Sequence, residues 1–332
     1  MMELTQNPVT QNILAVVLLV IGFVLLVKGA DFFVEGSSSV AKKLRVPSLI
    51  IGMTIVAMGT SLPETAVSIA AAMSGQNSLA VSNVVGSNIF NLMVVLGTCA
   101  LFNPLYVDKS VLKKDFPFSV VCAAILFGLG MIGMSLGRTD GIIFLAVFAV
   151  FMVFMVRGAL KARKMGIETP EEKEFEEEAE EIKDLPTWKC ILYIIGGIIA
   201  IKFGGDWVVD GAVTIATNVG ISQTIIGLTI VAFGTSLPEL VTSIVAARKN
   251  ELDMAVGNVI GSNIFNILMV LGIAGAISPM AFLMLNIIDI VVLIVFSVIV
   301  WLFCITKKRL ARPEGIIMLV MYAAYVVYIC VR

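Results

Sequence analysis

The stretch "VAMGTSLPET", residues 56–65, lies inside an apolar segment long enough to cross a bilayer as helix. It holds Gly59, Thr60, Ser61, Pro63 and Glu64, a helix breaker followed at once by a carboxylate. Proline removes a backbone donor and clashes with the carbonyl four residues earlier, so carbonyls near Ala57 to Thr60 are expected to lose helical partners. In lipid such groups are tolerated only where protein, water or an ion meets them. "VAFGTSLPEL", residues 231–240, repeats the arrangement with Gly234, Thr235, Ser236, Pro238 and Glu239, and is expected to free carbonyls near Ala232 to Thr235. One such break reads as a kink. Two, each followed by glutamate, read as a binding site.

The repeat is wider than the motif. An ungapped shift of 175 aligns residues 50–97 with 225–272, giving 30 identities in 48 positions. The surrounding chain is 59% hydrophobic and 14% charged, too apolar for a soluble domain. Its apolar blocks predict spans near residues 12–35, 46–73, 78–101, 116–136, 140–161, 188–215, 221–247, 252–276, 283–305 and 313–331. The expected fold is an all-α polytopic membrane protein, ten transmembrane helices arranged as two inverted five-helix repeats. These occupy residues 1–161 and 188–332, joined by an acidic linker at 162–187. Five spans separate the copies, and an odd number reverses the direction of entry. Inverted repeats of this kind are typical of secondary transporters, whose site lies near the midplane at the repeat interface.

Basic residues orient the chain. Lys42, Lys43, Arg45, Lys109, Lys113, Lys114, Arg248, Lys249, Lys307, Lys308, Arg309 and Arg312 fall in odd-numbered connections, while the even ones hold little beyond Arg138. The positive-inside rule then places the linker in the cytoplasm and both termini outside. The first apolar block lacks a basic lead and reads as a first span rather than a cleaved signal, which suits a prokaryotic cell membrane. A net charge of -1 with no basic patch speaks against nucleic acid. Five cysteines without ligand spacing read as small hydrophobes, and no obligatory protein partner is evident.

The chain has no histidine, which removes imidazole metal sites and Ser-His catalysis. Around Glu64 and Glu239 stand hydroxyls, amide oxygens and carbonyls. A second repeated motif, G-S-N-I-F-N, supplies Ser87 with Asn91 and Ser262 with Asn266, each pair at i and i+4 on one helix face. Both pairs lie 23 and 27 residues beyond their glutamate. Two facing carboxylates repel unless protonated or bridged by a cation. An all-oxygen inventory suits Ca2+, which takes 6–8 oxygens in a flexible cage, better than Mg2+ or soft metals.

The paired GTSLPE and GSNIFN units resemble the alpha repeats of the cation/calcium antiporter superfamily, specifically the prokaryotic sodium/calcium exchangers. The resemblance implies cation ligands at Thr60, Ser61, Glu64, Ser87, Asn91, Thr235, Ser236, Glu239, Ser262 and Asn266, with the carbonyls of Ala57 and Ala232. It implies transported Ca2+ and Na+ rather than a resident cofactor, and a first helix in each half that slides across the core. Some members, the potassium-dependent branch among them, carry aspartate at the position of Asn266. Asparagine in both halves leaves two carboxylates and argues against potassium cotransport. The G-N-x-x-E motif of the calcium/proton branch does not occur at the repeat positions.

The reading is thus a transporter and not an enzyme: an electrogenic antiporter that expels Ca2+ as Na+ enters. The alternative within the fold exchanges Ca2+ or another divalent cation for H+. An intramembrane serine hydrolase using Ser61 or Ser236 lacks a base to activate the hydroxyl. Asp31 and Glu35, matched by Asp206 and Asp210 at the same shift, suit ion pairs near helix ends with Lys28 and Lys202. Asp115 and Asp289 are expected to open spans four and nine. The linker lacks an EF-hand pattern and reads as a solvated connection.

Overall fold

The computed structural model describes residues 8–73, 77–165, 184–220, 232–307 and 309–331. Its helices are α1 (Pro8–Leu44), α2 (Ser48–Thr60), α3 (Leu62–Met73), α4 (Ala80–Phe102), α5 (Val111–Met131), α6 (Arg138–Met165), α7 (Thr187–Asn218), α8 (Leu237–Arg248), α9 (Leu252–Ile277), α10 (Met284–Lys307) and α11 (Arg312–Val331). Among the described residues eight are long and apolar enough to cross a membrane, and α2 with α3, bent by 46°, form a ninth candidate when taken as one span. Of the expected span at 221–247, residues 221–231 lie outside the described residues.

Two short ladders tie the halves together. Strands β1 (Leu105–Tyr106) and β4 (Arg309–Leu310) pair antiparallel, as do β2 (Ser135–Leu136) and β3 (Met280–Ala281). Each ladder joins a connection of the first half to one of the second.

Several boundaries move, each for a local reason. Helix α1 runs on to Leu44 because nothing breaks it before Arg45, whose φ of 53° takes the left-handed turn. The Val46 amide then reaches back to the Ala41 carbonyl at 3.0 Å and closes the helix end. Helix α5 ends at Met131 rather than near 136, where Gly133 at φ 77° starts the turn into β2. It also begins earlier than expected, so Asp115 lies a turn inside it instead of opening it; Asp289 is likewise inside α10. Of the linker, residues 166–183 are not described, but Asp184 at its end meets Lys43 at 2.8 Å. That hydrogen bond and charge hold the Asp184 carboxyl below the usual range.

Burial sorts the helices into a centre and a rim. In α4 and α9, 78% of the apolar window is buried, against 11% in α6 and 22% in α11. The rim carries the exposed apolar belt, such as Ile13, Val153, Phe154 and Val320, that lipid covers. Helices α1 and α7 form a separate antiparallel pair along a glycine seam. Gly22, Gly29 and Gly36 recur every seven residues, and Gly197, Gly204 and Gly211 repeat them at the shift of 175. A Cβ added at Gly204 would lie 2.6 Å from the Leu26 nitrogen, and one at Gly22 2.8 Å from the Gly204 carbonyl oxygen. Backbone therefore packs on backbone, the association that lipid favours.

Candidate cation site

The two helix breaks meet at the centre. The chain turns at Ser61, between α2 and α3, and at Ser236, just before α8. The turn before Pro63 does not free every carbonyl near it. Ala57 keeps its helical partner, the Ser61 amide at 3.0 Å, and lies 3.3 Å from the Thr60 hydroxyl, which can turn to it instead of to Asn258. The reason is register. Proline deletes the donor for the carbonyl four residues back, which is Gly59, two residues past Ala57. In the second half the Ser236 amide bonds instead to the Phe233 carbonyl at 3.2 Å, a tighter turn. Ala232 begins that short segment, and its side chain is not described.

The serines cross over. Ser61 donates to Glu239 Oε1 at 3.2 Å, and Ser236 donates to Glu64 Oε1 at 3.3 Å. Each half therefore serves the other's glutamate. Ser87 adds a second hydroxyl to Glu64 Oε1 at 3.5 Å. Its repeat mate Ser262 lies 3.4 Å from the Thr60 hydroxyl instead, so the symmetry is incomplete. Thr60, Ser61, Glu64, Asn91, Ser236, Glu239, Ser262 and Asn266 are 0% exposed, and Ser87 is 2%. Thr235 is only partly buried.

A ring of asparagines that sequence reasoning passed over holds this cluster. Thr60 donates to Asn258 Oδ1 at 3.1 Å, while Asn258 Nδ2 donates to Ser243 at 2.9 Å. In mirror fashion Thr235 donates to Asn83 Oδ1 at 3.5 Å and Asn83 Nδ2 to Ser68 at 3.2 Å. Asn88 and Asn263 donate to each other's backbone carbonyls at 3.1 and 3.2 Å, clasping α4 to α9. Asn83, Asn88, Asn258 and Asn263 are identical pairs under the same shift of 175, which was the signal available to find them.

Asn91 and Asn266 each open a π-helical turn, Asn91–Val95 and Asn266–Val270. Such turns insert one extra residue and recur at functional sites. Asn266 Nδ2 donates to Asn88 Oδ1 at 3.1 Å, which fixes its amide and leaves its Oδ1 without a donor. Five buried oxygens of the glutamates and asparagines here have no hydrogen-bond partner, Glu64 Oε2, Glu239 Oε2, Asn91 Oδ1, Asn263 Oδ1 and Asn266 Oδ1, and neither does Asn91 Nδ2. A buried carboxylate oxygen without a donor is costly, and a cation is what its chemistry accepts. Among the described residues no three Cys, Asp or Glu side chains converge as a metal cage. Any ion here is held by two carboxylates and neutral oxygens.

The flanking acids pair as their spacing suggests. Lys28 meets Asp31 at 3.7 Å, and Lys202 meets Asp206 at 2.6 Å. Lys249, beyond the end of α8, adds a bridge that was not foreseen. It lies 3.5 Å from the Asp31 carboxylate and 3.7 Å from Glu35, and donates to the Asp31 carbonyl at 2.9 Å.

Inverted halves whose broken helices cross over two buried carboxylates define a multi-pass membrane protein of the transporter class. The chain belongs to the sodium/calcium exchanger protein family, whose profile matches residues 14–157 and 189–331. It is 32% identical over 339 residues to the sodium/calcium exchanger MaX1 of Methanosarcina acetivorans, an alignment covering 93% of this chain and 97% of that one. It is 37% identical over 294 residues to the inner membrane protein YrbG of Escherichia coli, covering 87% and 89%. Among solved structures, the sodium-calcium exchanger NCX_Mj soaked with Na+ and Sr2+ superposes with a TM-score of 0.80 at 32% identity, covering 95% of this chain and 99% of that one.

Proposed function

We propose that the chain is an electrogenic sodium/calcium antiporter, expelling Ca2+ as Na+ enters. The observation that carries this is the pair of buried, donor-free oxygens, Glu64 Oε2 and Glu239 Oε2, among neutral oxygens. The proposed ligands are Thr60, Ser61, Glu64, Ser87, Asn91, Thr235, Ser236, Glu239, Ser262 and Asn266, with the Ala232 carbonyl. The Ala57 carbonyl joins them when the Thr60 hydroxyl turns away from it. With both glutamates ionised, one Ca2+ neutralises the site. Three Na+ leave it with about one net positive charge.

Access alternates by sliding of the α1–α7 pair over the centre. The glycine seam supports this, since it makes the pair one rigid body. The linker 162–187 joins the five-helix units 1–161 and 188–332 on the cytoplasmic side, with both termini outside. Reconstituted vesicles loaded with Ca2+ test the reading: efflux should follow an imposed Na+ gradient and ignore a pH gradient of equal size. Efflux that follows the pH gradient without Na+ overturns it in favour of proton exchange.

A further inference from the structure

A cavity of about 730 Å3 opens between the start of α2, the start of α5 and the second half of α6. None of the residues of the cation site lines it. Its wall divides by chemistry. Phe118, Val147, Val150, Phe151, Phe154 and Met155 form an apolar trough along α5 and α6. Val150 and Phe154 are 54% and 63% exposed, so the trough opens sideways to lipid. The other end carries Asp108, Ser110, Lys114, Asp115 and Asp253. Gly158 also lines the cavity, and α6 ends at Met165 where the linker begins, so the cavity belongs to the membrane face on the linker's side.

Asp115 decides what fits. It is 8% exposed and accepts no hydrogen bond from a described residue, while the Lys114 charge acts on it from beside. Asp108 already accepts the Ser110 amide, and Asp253 has a partner of its own. A buried carboxylate without donors is matched by a group that brings N–H and positive charge together. The trough, in turn, is matched by a hydrocarbon chain. A bare cation would leave the apolar trough unfilled, so it fits less well.

We propose that this cavity binds a bilayer phospholipid with a primary-ammonium headgroup, phosphatidylethanolamine. An acyl chain lies against Phe118, Phe151 and Phe154, the ammonium donates to Asp115, and the phosphate turns towards Lys114. A choline headgroup has no N–H to give Asp115. An anionic headgroup meets three aspartates, Asp108, Asp115 and Asp253, against the single Lys114.

Native mass spectrometry of the purified full chain in detergent tests this, titrating phosphatidylethanolamine, phosphatidylcholine and phosphatidylglycerol of identical acyl chains. Ethanolamine adducts should form at about tenfold lower concentration than the other two, as expected for one charge-assisted hydrogen bond. That preference should disappear in Asp115→Asn. Val150→Trp, at an exposed position, fills the trough without touching the packed centre and should also abolish it, which keeps the test available if Asp115→Asn fails to fold. Equal loading of ethanolamine and choline lipids, strongest loading of glycerol lipid, or a preference that survives a folded variant overturns the proposal.

Discussion

The Ser61 hydroxyl donates to Oε1 of Glu239 at 3.2 Å, a bond between residues 178 positions apart. Ser236 returns the bond to Glu64 at 3.3 Å. The cluster is therefore assembled only when the two breaks face each other. Because each serine belongs to the helix break itself, a shift of either break changes the surroundings of the opposite glutamate.

Glu64→Gln and Glu239→Gln should each abolish calcium transport while leaving a folded protein. Removing one charge of a buried, compensated set costs about 3–5 kcal/mol, or roughly two to four orders of magnitude in affinity. The ion-free protein should lose no stability, because an unpaired buried carboxylate has been removed. Thermal unfolding should therefore show an unchanged or raised Tm without Ca2+, and no further rise when Ca2+ is added. Calcium-dependent stabilisation of either variant, or transport near the wild-type rate, would place the binding charge elsewhere.

Asn266→Asp should make transport pH-dependent between pH 6 and 8. The Asn266 amide nitrogen now donates to Asn88 Oδ1 at 3.1 Å, and Asn88 Nδ2 is already engaged by the Asn263 carbonyl. An ionised aspartate would thus oppose one acceptor with another and add a third charge to Glu64 and Glu239. It stays protonated unless a cation holds it, so Ca2+ binding must release a proton and should weaken as pH falls. Flux curves that coincide at pH 6 and pH 8 would put Asn266 outside the site.

Gly204→Val should remove transport by prising α1 from α7, since even a Cβ there would sit 2.6 Å from the Leu26 nitrogen. Gly86→Ala is the matching control, because its added Cβ meets no atom within 4 Å. It should transport normally, and helix propensity should favour it by about 1 kcal/mol. Normal flux by Gly204→Val would mean that the seam does not hold the pair together.

The sequence read alone carries the architecture because two strong periodicities coincide, the apolar blocks and the shift of 175. It names Glu64, Ser61, Ser87 and Asn91 with their mates because oxygen-rich residues inside apolar helices are costly and therefore conspicuous. What it leaves hidden is pairing across the repeat. Helical spacing says that Ser61 and Glu64 share a face, yet Ser61 bonds to Glu239, and that choice exists only once the halves are docked. The asparagine ring and the glycine seam were hidden for another reason. Asn83, Asn258, Gly29 and Gly204 are ordinary residues in spans, and only their recurrence at the repeat shift separates them from filler. That the Ala57 carbonyl keeps its helical bond to the Ser61 amide follows from counting back from the proline nitrogen, which reaches Gly59 instead.

Voltage dependence tests the central claim most directly, that two carboxylates and neutral oxygens exchange one Ca2+ for three Na+. Calcium-loaded proteoliposomes, given external Na+, can be clamped at zero or inside-negative potential with potassium and valinomycin. Moving one charge through the field is worth about 2.3 kcal/mol per 100 mV. An inside-negative potential should therefore speed calcium efflux coupled to Na+ entry in the wild type, and Glu64→Gln should show no flux at either voltage. Sodium-driven efflux of the same rate at both voltages would contradict the account, since it requires two Na+ per Ca2+ or a further charged ligand.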